Sequence, residues 1–353
     1  MGLPNINIAF KTAAATSIAQ SSKGIVALIL KDSTNNGVLS LTDATKIPAT
    51  LSNPNKFYIS LALLGYVNVP KKVIACVLPA DAADLSAGLV SMATQTFDYL
   101  VGPPDCTAAE AQEIATWIKA KRADHYIYKA VLPNLAGDSE GIINVTADQI
   151  KEGENTYSTA QYCARVAGLI AGTPMTISCT YATLPEVDDV KRLTSEDLDA
   201  AIDAGQFVFL WDGEKVKTGR GVNSLQTTTA DKGDDYKKIK IVEAIDMMQS
   251  DIRKTAQDSY IGKYANSYDN KCLLLTAIRG YFSTLATEGI ISDDFSVDFD
   301  TTATKNYLEK QGTDITALTD LQIRQADTGS SVFISGYVHI LDAIEDIAVA
   351  ISI

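Results

Sequence analysis

Two histidines, His125 and His339, supply all the imidazole chemistry of this 353-residue chain. General acid–base catalysis and metal ligation are correspondingly restricted. His125 follows a helical pattern, where it would complement a helix dipole, and His339 lies in an alternating segment near Tyr337. G-x-S-x-G, H-E-x-x-H, a Walker loop and G-x-G-x-x-G are all missing from the sequence. Gly219-Arg220-Gly221 is the nearest approach to a phosphate loop, but it lacks a third glycine and reads as a flexible turn between strands. Cys76, Cys106, Cys163, Cys179 and Cys272 form no C-x-x-C pair, and their odd number argues against a disulfide framework or structural zinc. Free thiols suit a cytosolic assembly compartment. Asp293, Asp294, Asp298 and Asp300 form an acidic stretch without EF-hand spacing. Alternation puts Asp294, Asp298 and Asp300 opposite Phe295, Val297 and Phe299, which a solvated face explains. Lys237, Lys238 and Lys240 read either as a solvated helix face or as a docking place for an acidic partner. The expectation is a protein with no catalytic residue, no cofactor and no metal.

The elements that would position these residues fall into two textures. From Gly24–Leu30 through Val73–Leu78, Phe97–Val101, Ala130–Leu132 and Ile142–Thr146, short apolar strands alternate with helical patterns at Pro54–Tyr66, Asp81–Thr94 and Thr107–Arg122. Continuous apolar strands separated by helices predict a mostly parallel sheet covered on both faces. Thr107 and Glu110 have the spacing of a capping box. A helix is expected at Thr156–Ala171, another at Ser195–Ala204, and a hairpin about Asp212-Gly213 between Phe207–Trp211 and Lys215–Lys217. After the polar turn Ala230–Asp235, long helices are predicted at Tyr236–Asp258 and Asn270–Glu288. Strands follow at Ser292–Asp300 and Val332–Leu341, with a short helix near Thr302–Gln311 between them, which reads as a smaller α+β domain.

Hydrophobic residues make up 46% and charged residues 21%, a globular profile. The longest apolar runs are too short to span a bilayer. The first residues lack the basic and apolar regions of a secretory signal, so cytoplasmic synthesis is expected. A net charge of −13 repels nucleic-acid phosphates, so no direct nucleic-acid partner is expected. Ile6, Ile8 and Phe10 alternate with Asn7 and Ala9, and Val349, Ile351 and Ile353 alternate with Ala350 and Ser352. Each end reads as a short amphipathic strand. It either adds an edge to its own domain or pairs with another subunit by β-augmentation.

From Ile177 onward the chain resembles the sheath proteins of contractile phage tails and R-type phage-tail-like bacteriocins, especially the compact sheaths of Gram-positive hosts. The resemblance rests on ISCTYATLPEVDDVKRLTSEDLDAAIDAG (Ile177–Gly205), GEKVKTGRGVNSLQTTT (Gly213–Thr229), KKIKIVEAIDMMQSDIRKT (Lys237–Thr255) and IGKYANSYDNKCLLLTAIRGYFSTLATEGII (Ile261–Ile291). Over Met1–Ala171 the likeness is looser, to the subtilisin-like domain of that family, and no Ser-His-Asp triad can be placed. It implies an α/β fold: an N-terminal arm (1–22), a subtilisin-like, mostly parallel sheet domain (23–229), a smaller α+β domain (230–341) and a C-terminal arm (342–353). It also implies a structural role, in a helical homopolymer around an inner tail tube, with baseplate and terminator proteins as further partners. Such a subunit is assembled in the bacterial cytoplasm, in a phage tail or tail-like particle released by lysis, without membrane insertion. Ile6, Ile8, Phe10, Val349, Ile351 and Ile353 stand where inter-subunit arms are expected, and Lys237, Lys238 and Lys240 where an acidic tube would be met. The competing readings are a cytosolic α/β hydrolase or ligand-binding protein, and the sheath of a membrane-anchored secretion system.

Overall fold

The computed structural model describes residues 16–20, 23–34 and 36–352. Strands β1 (Ile25–Asp32), β2 (Gly37–Leu41), β3 (Lys72–Pro79), β4 (Tyr99–Val101), β5 (Lys129–Pro133) and β6 (Ile142–Val145) are followed by the short pair β7 (Ile150–Glu152) and β8 (Asn155–Tyr157), then by β9 (Gln206–Phe207), β10 (Phe209–Trp211) and β11 (Val216–Thr218). Helices α1 (Asn53–Leu64), α2 (Ser86–Met92), α3 (Ala108–Ala123), α4 (Thr159–Ala171) and α5 (Ser195–Asp203) lie among them, and α6 (Ile239–Thr255) follows. Among the described residues seven strands form the main sheet in the order β2-β3-β1-β4-β5-β6-β9. All its pairings are parallel except β2 on β3. This is the α/β architecture expected from the strands.

The apolar runs are explained by burial on both sides. Alternate residues of one strand enter different cores, because side chains alternate across a sheet. Val26, Leu28 and Leu30 pack with Tyr58 and Leu61 of α1 and Val166 and Leu169 of α4. Ala27 and Ile29 pack with Leu89 of α2 and Ile114 and Ile118 of α3. The capping box of α3 forms as expected: Thr107 N donates to Glu110 Oε2 at 2.8 Å and Glu110 N to Thr107 Oγ1 at 3.3 Å. Asp212-Gly213 turns β10 into β11, with Asp212 Oδ1 accepting from the amides of Glu214 and Lys215 at 2.9 Å.

β2 and the start of α4 differ from expectation. β2, an exposed antiparallel edge, carries too little apolar alternation to be read as a strand. The helix expected from Thr156 begins at Thr159, capped by Ser158, because Asn155–Tyr157 pairs with Ile150–Glu152 around Gly153 at φ 58°.

The chain divides into two units: residues 23–247 with 342–352, and 248–341 with 16–20. In the second unit lie the last turns of α6, helix α7 (Tyr268–Thr287), strand β12 (Ser296–Phe299), helices α8 (Thr301–Lys310) and α9 (Asp320–Gln325), and strand β13 (Ile334–Tyr337). The helix expected over Tyr236–Asp258 is a 3-10 turn at Asp234–Lys237, then α6, then a π turn at Ala256–Tyr260. Tyr281 donates to Asp251 Oδ2 at 2.7 Å, tying α7 to α6. β12 and β13 pair antiparallel from Ser296↔Tyr337 to Phe299↔Ile334, shorter than the strands expected there.

Candidate functional site

The two histidines have backbone bonds, and Asp298 and Asp300 have side-chain ones. His125 sits at φ 66° just beyond α3, its amide bonded to Arg122 O, and the carbonyl of His339 accepts from Ser292 N. Asp298 receives two bonds from Arg324 Nη1 at 2.8 and 2.9 Å, and Asp300 caps α8 through Ala303 N at 2.8 Å. Among the described residues no group of three or more His, Cys, Asp or Glu is arranged to hold a metal ion.

The crevice at the carboxyl ends of the sheet strands is where an open α/β fold would place a ligand. A cleft of about 450 Å³ lies there, lined by Cys106, Asn134, Asp148, Ser158, Thr159 and Lys191 among others. Its cysteine is held away from the thiolate form. Burial, with Glu110 and Asp105 nearby, pushes the Cys106 thiol up to about 12. Ser158 is the N-cap of α4, in a capping box with Gln161. At the end of β1, Asp32 accepts from Ser52 N at 2.9 Å and Asn55 Nδ2 at 2.8 Å, so this carboxylate holds the start of α1. These bonds keep it well below the usual carboxylate range despite desolvation.

The basic cluster has a different destination. Lys237 pairs with Asp234 at 2.8 Å, Lys238 pairs with Asp342, and Lys240 is buried, 6% exposed. Arg220, from the turn read as a candidate loop, donates to Asp346 Oδ1 at 2.5 Å and lies 3.6 Å from Glu345 Oε2. Glu345 Oε1 also accepts from Ser178 Oγ at 3.1 Å and from Thr180 Oγ1. The acidic partner of Lys238 and Arg220 is therefore the chain's own C-terminal segment, a pairing across more than a hundred residues that spacing does not reveal.

Beyond that root the segment turns apolar and exposed. Ile344, Ile347, Val349 and Ile351 are 87%, 78%, 73% and 82% exposed, and residues 342–352 form no strand or helix. Ile6, Ile8, Phe10 and Ile353 lie outside the described residues. In the other unit β13 is mostly exposed, and it pairs with β12 alone among the described residues.

Residues 79–224 match the phage tail sheath protein central domain, and residues 231–353 the phage tail sheath C-terminal domain. The tail sheath protein of Clostridium phage phiCD119 is 37% identical over 99% of both chains. This chain belongs to the phage tail sheath protein family. It is a structural subunit of the sheath. Phage-like element PBSX protein XkdK of Bacillus subtilis is 28% identical over 71% of this chain, which spans 55% of that relative's length. Among solved structures, the helical sheath of the anti-feeding prophage in its contracted state superposes with a TM-score of 0.73 at 15% identity, covering 100% of this chain and 99% of that one. The sheath tail protein of Desulfitobacterium hafniense superposes at 0.69 with 18% identity, over 84% and 94%. At these identities the likeness is one of fold.

Proposed function

We propose that this subunit polymerises with copies of itself around an inner tail tube, and that contraction of the polymer drives the tube through a bacterial envelope. The chain works without catalysis, as folded units carrying linking arms. The observation that carries this reading is the apolar, exposed C-terminal segment. Burying the Val349 and Ile351 side chains is worth about 1.5–3 kcal/mol each, and a monomer leaves that unrealised. A strand from another copy, laid on the free edge of β13, would bury them and satisfy backbone groups together.

Related assemblies support the rest. Solved relatives include sheaths in the contracted state and a baseplate of the anti-feeding prophage. A passage between two packings of the same surfaces needs no nucleotide hydrolysis. Baseplate and terminator proteins at the two ends, cytoplasmic assembly and release by lysis complete the reading. The sequence-derived division, with arms at 1–22 and 342–353 about domains 23–229 and 230–341, fits bodies that move while staying linked. The N-terminal strand Ile6–Phe10 is the second arm in this scheme. A lysine contact to an acidic tube would have to compete with Asp234 for Lys237 and with Asp342 for Lys238, and Lys240 is buried.

The test is truncation. Deleting residues 349–353 is expected to leave a folded subunit, judged by circular dichroism and melting, that forms no cylinders in negative-stain electron microscopy. Normal cylinders from the truncated chain would overturn the arm reading.

A further inference from the structure

Resting on that assembly reading, we propose that Ser178, Thr180, Arg220 and Lys238 form an anchor that clamps the acidic root of the C-terminal arm to its own subunit. The clamp sets the course on which the apolar end leaves toward a second copy.

The segment is written in two parts. Asp342, Glu345 and Asp346 lie at its start, and Ile347, Val349, Ile351 and Ile353 alternate toward its end, with no lysine or arginine anywhere in it. Every acid of the root has a partner: Asp342 on Lys238, Asp346 on Arg220, Glu345 on both hydroxyls and near Arg220. The three pairings are not equal. Asp346 is 79% exposed, so water screens its bond to Arg220. Glu345 is 8% exposed and is the pivot.

Its receptor is built in advance. Thr180 Oγ1 accepts from Gly221 N at 2.9 Å, and Ser178 Oγ accepts from Thr180 N at 3.1 Å. The two hydroxyls also lie 2.8 Å from each other, so they and Glu345 Oε1 form one connected set of hydrogen bonds, with both hydroxyl oxygens within reach of the carboxylate. Gly221 permits the approach, because a Cβ there would lie 2.9 Å from Cys179 Sγ. Two oriented hydroxyls beside a guanidinium are a site for one carboxylate, and charge-assisted bonds of this kind are the strong ones.

Such an anchor has a mechanical reason. An arm seated in a second copy transmits load to its own subunit through its root. A root held only by chain connectivity would let the arm sample many directions, lowering the effective concentration of its strand at the neighbour. A clamped root presents the strand in one direction.

The experiment uses the full chain. Amide hydrogen exchange of residues 342–348 is measured in the free subunit, and the concentration needed for cylinders is measured by sedimentation and negative stain. The variants are Thr180→Val, Glu345→Gln, Lys238→Glu and the charge swap Lys238→Glu with Asp342→Lys. Truncation of 349–353 runs in parallel. Thr180→Val and Glu345→Gln are expected to speed root exchange about tenfold and to raise the critical concentration about tenfold. Lys238→Glu should do the same, and the swap should reverse it. Melting temperatures identify any variant that fails to fold, and the swap then decides. If truncation abolishes cylinders while the four variants keep wild-type exchange and critical concentration, the anchor is overturned and the arm stands. If the truncated chain assembles normally, it is the arm reading that falls.

Discussion

Lys129 Nζ donates to Asp246 Oδ2 at 2.9 Å with both side chains almost fully buried, which joins the start of β5 to α6 inside the α/β unit. Arg122, from the last turn of α3, adds bonds to both oxygens of the same carboxylate at 3.0 and 3.1 Å. Among the described residues Asp246 is the one anion paired with Lys129, and one of two paired with Arg122, Glu140 being the other. Asp246→Ala therefore leaves two buried cations short of charge, and should destabilise the free subunit by about 3–5 kcal/mol in urea unfolding. Asp246→Asn keeps the shape without the charge and should fall between. A loss below about 1 kcal/mol for the alanine variant would mean that water reaches these cations.

Gly168 lies inside α4 where it crosses α1, and two effects of opposite sign meet there. Helix propensity favours Gly168→Ala by about 1 kcal/mol. A Cβ at this position, however, would run into the carbonyl oxygen of Ala62, which is backbone and cannot swing aside. Packing should win, with a net loss of about 1–3 kcal/mol and a lower melting temperature. A variant that melts higher would show that the two helices can separate slightly without penalty.

What the chain alone reveals follows from the range of each interaction. The parallel sheet is legible because Val26–Leu30 and Val73–Leu78 are apolar at every position, and only two-sided burial accounts for that. The Thr107–Glu110 box and the Asp212-Gly213 turn are local, so spacing alone carries them. β2 is not legible, since one of its faces meets water and its five residues include Gly37 and Ser40. Nor is the root of the arm. Lys238 with Asp342, and Thr180 with Glu345, are tertiary pairs, and in the sequence their members look like ordinary surface charges and a β-rich stretch.

Thiol chemistry offers an independent probe of the same packing. Burial pushes Cys179 up to about 12 and Cys163 well above its ordinary value, and Cys106 is raised likewise. At neutral pH such groups carry almost no thiolate, the form that reacts. Cys272, partly exposed on α7, should be the first to take up maleimide in the native subunit, as read by intact mass and peptide mapping. Equal reactivity of Cys163 would reveal that α4 opens on the labelling timescale.

Asp138 carries the last prediction, on pH. Its Oδ1 accepts from the amides of Gln226 and Thr227 at 2.8 Å, and its Oδ2 from the Thr227 hydroxyl at 2.7 Å. Those bonds favour the anion and draw its pKa down to about 2, from an ordinary value of about 3.9. The native state thus releases this proton more readily than the unfolded chain does. The stabilisation is complete above about pH 5 and is lost as pH falls through the native value near 2. Because the site is largely exposed, solvent screening keeps the effect modest. Asp138→Asn tolerates the left-handed backbone at φ 43° but cannot ionise. Thermal melts should therefore separate the two proteins at pH 7 and draw them together toward about pH 2.5. A gap that stays constant across that range would assign the loss to hydrogen-bond geometry and not to charge.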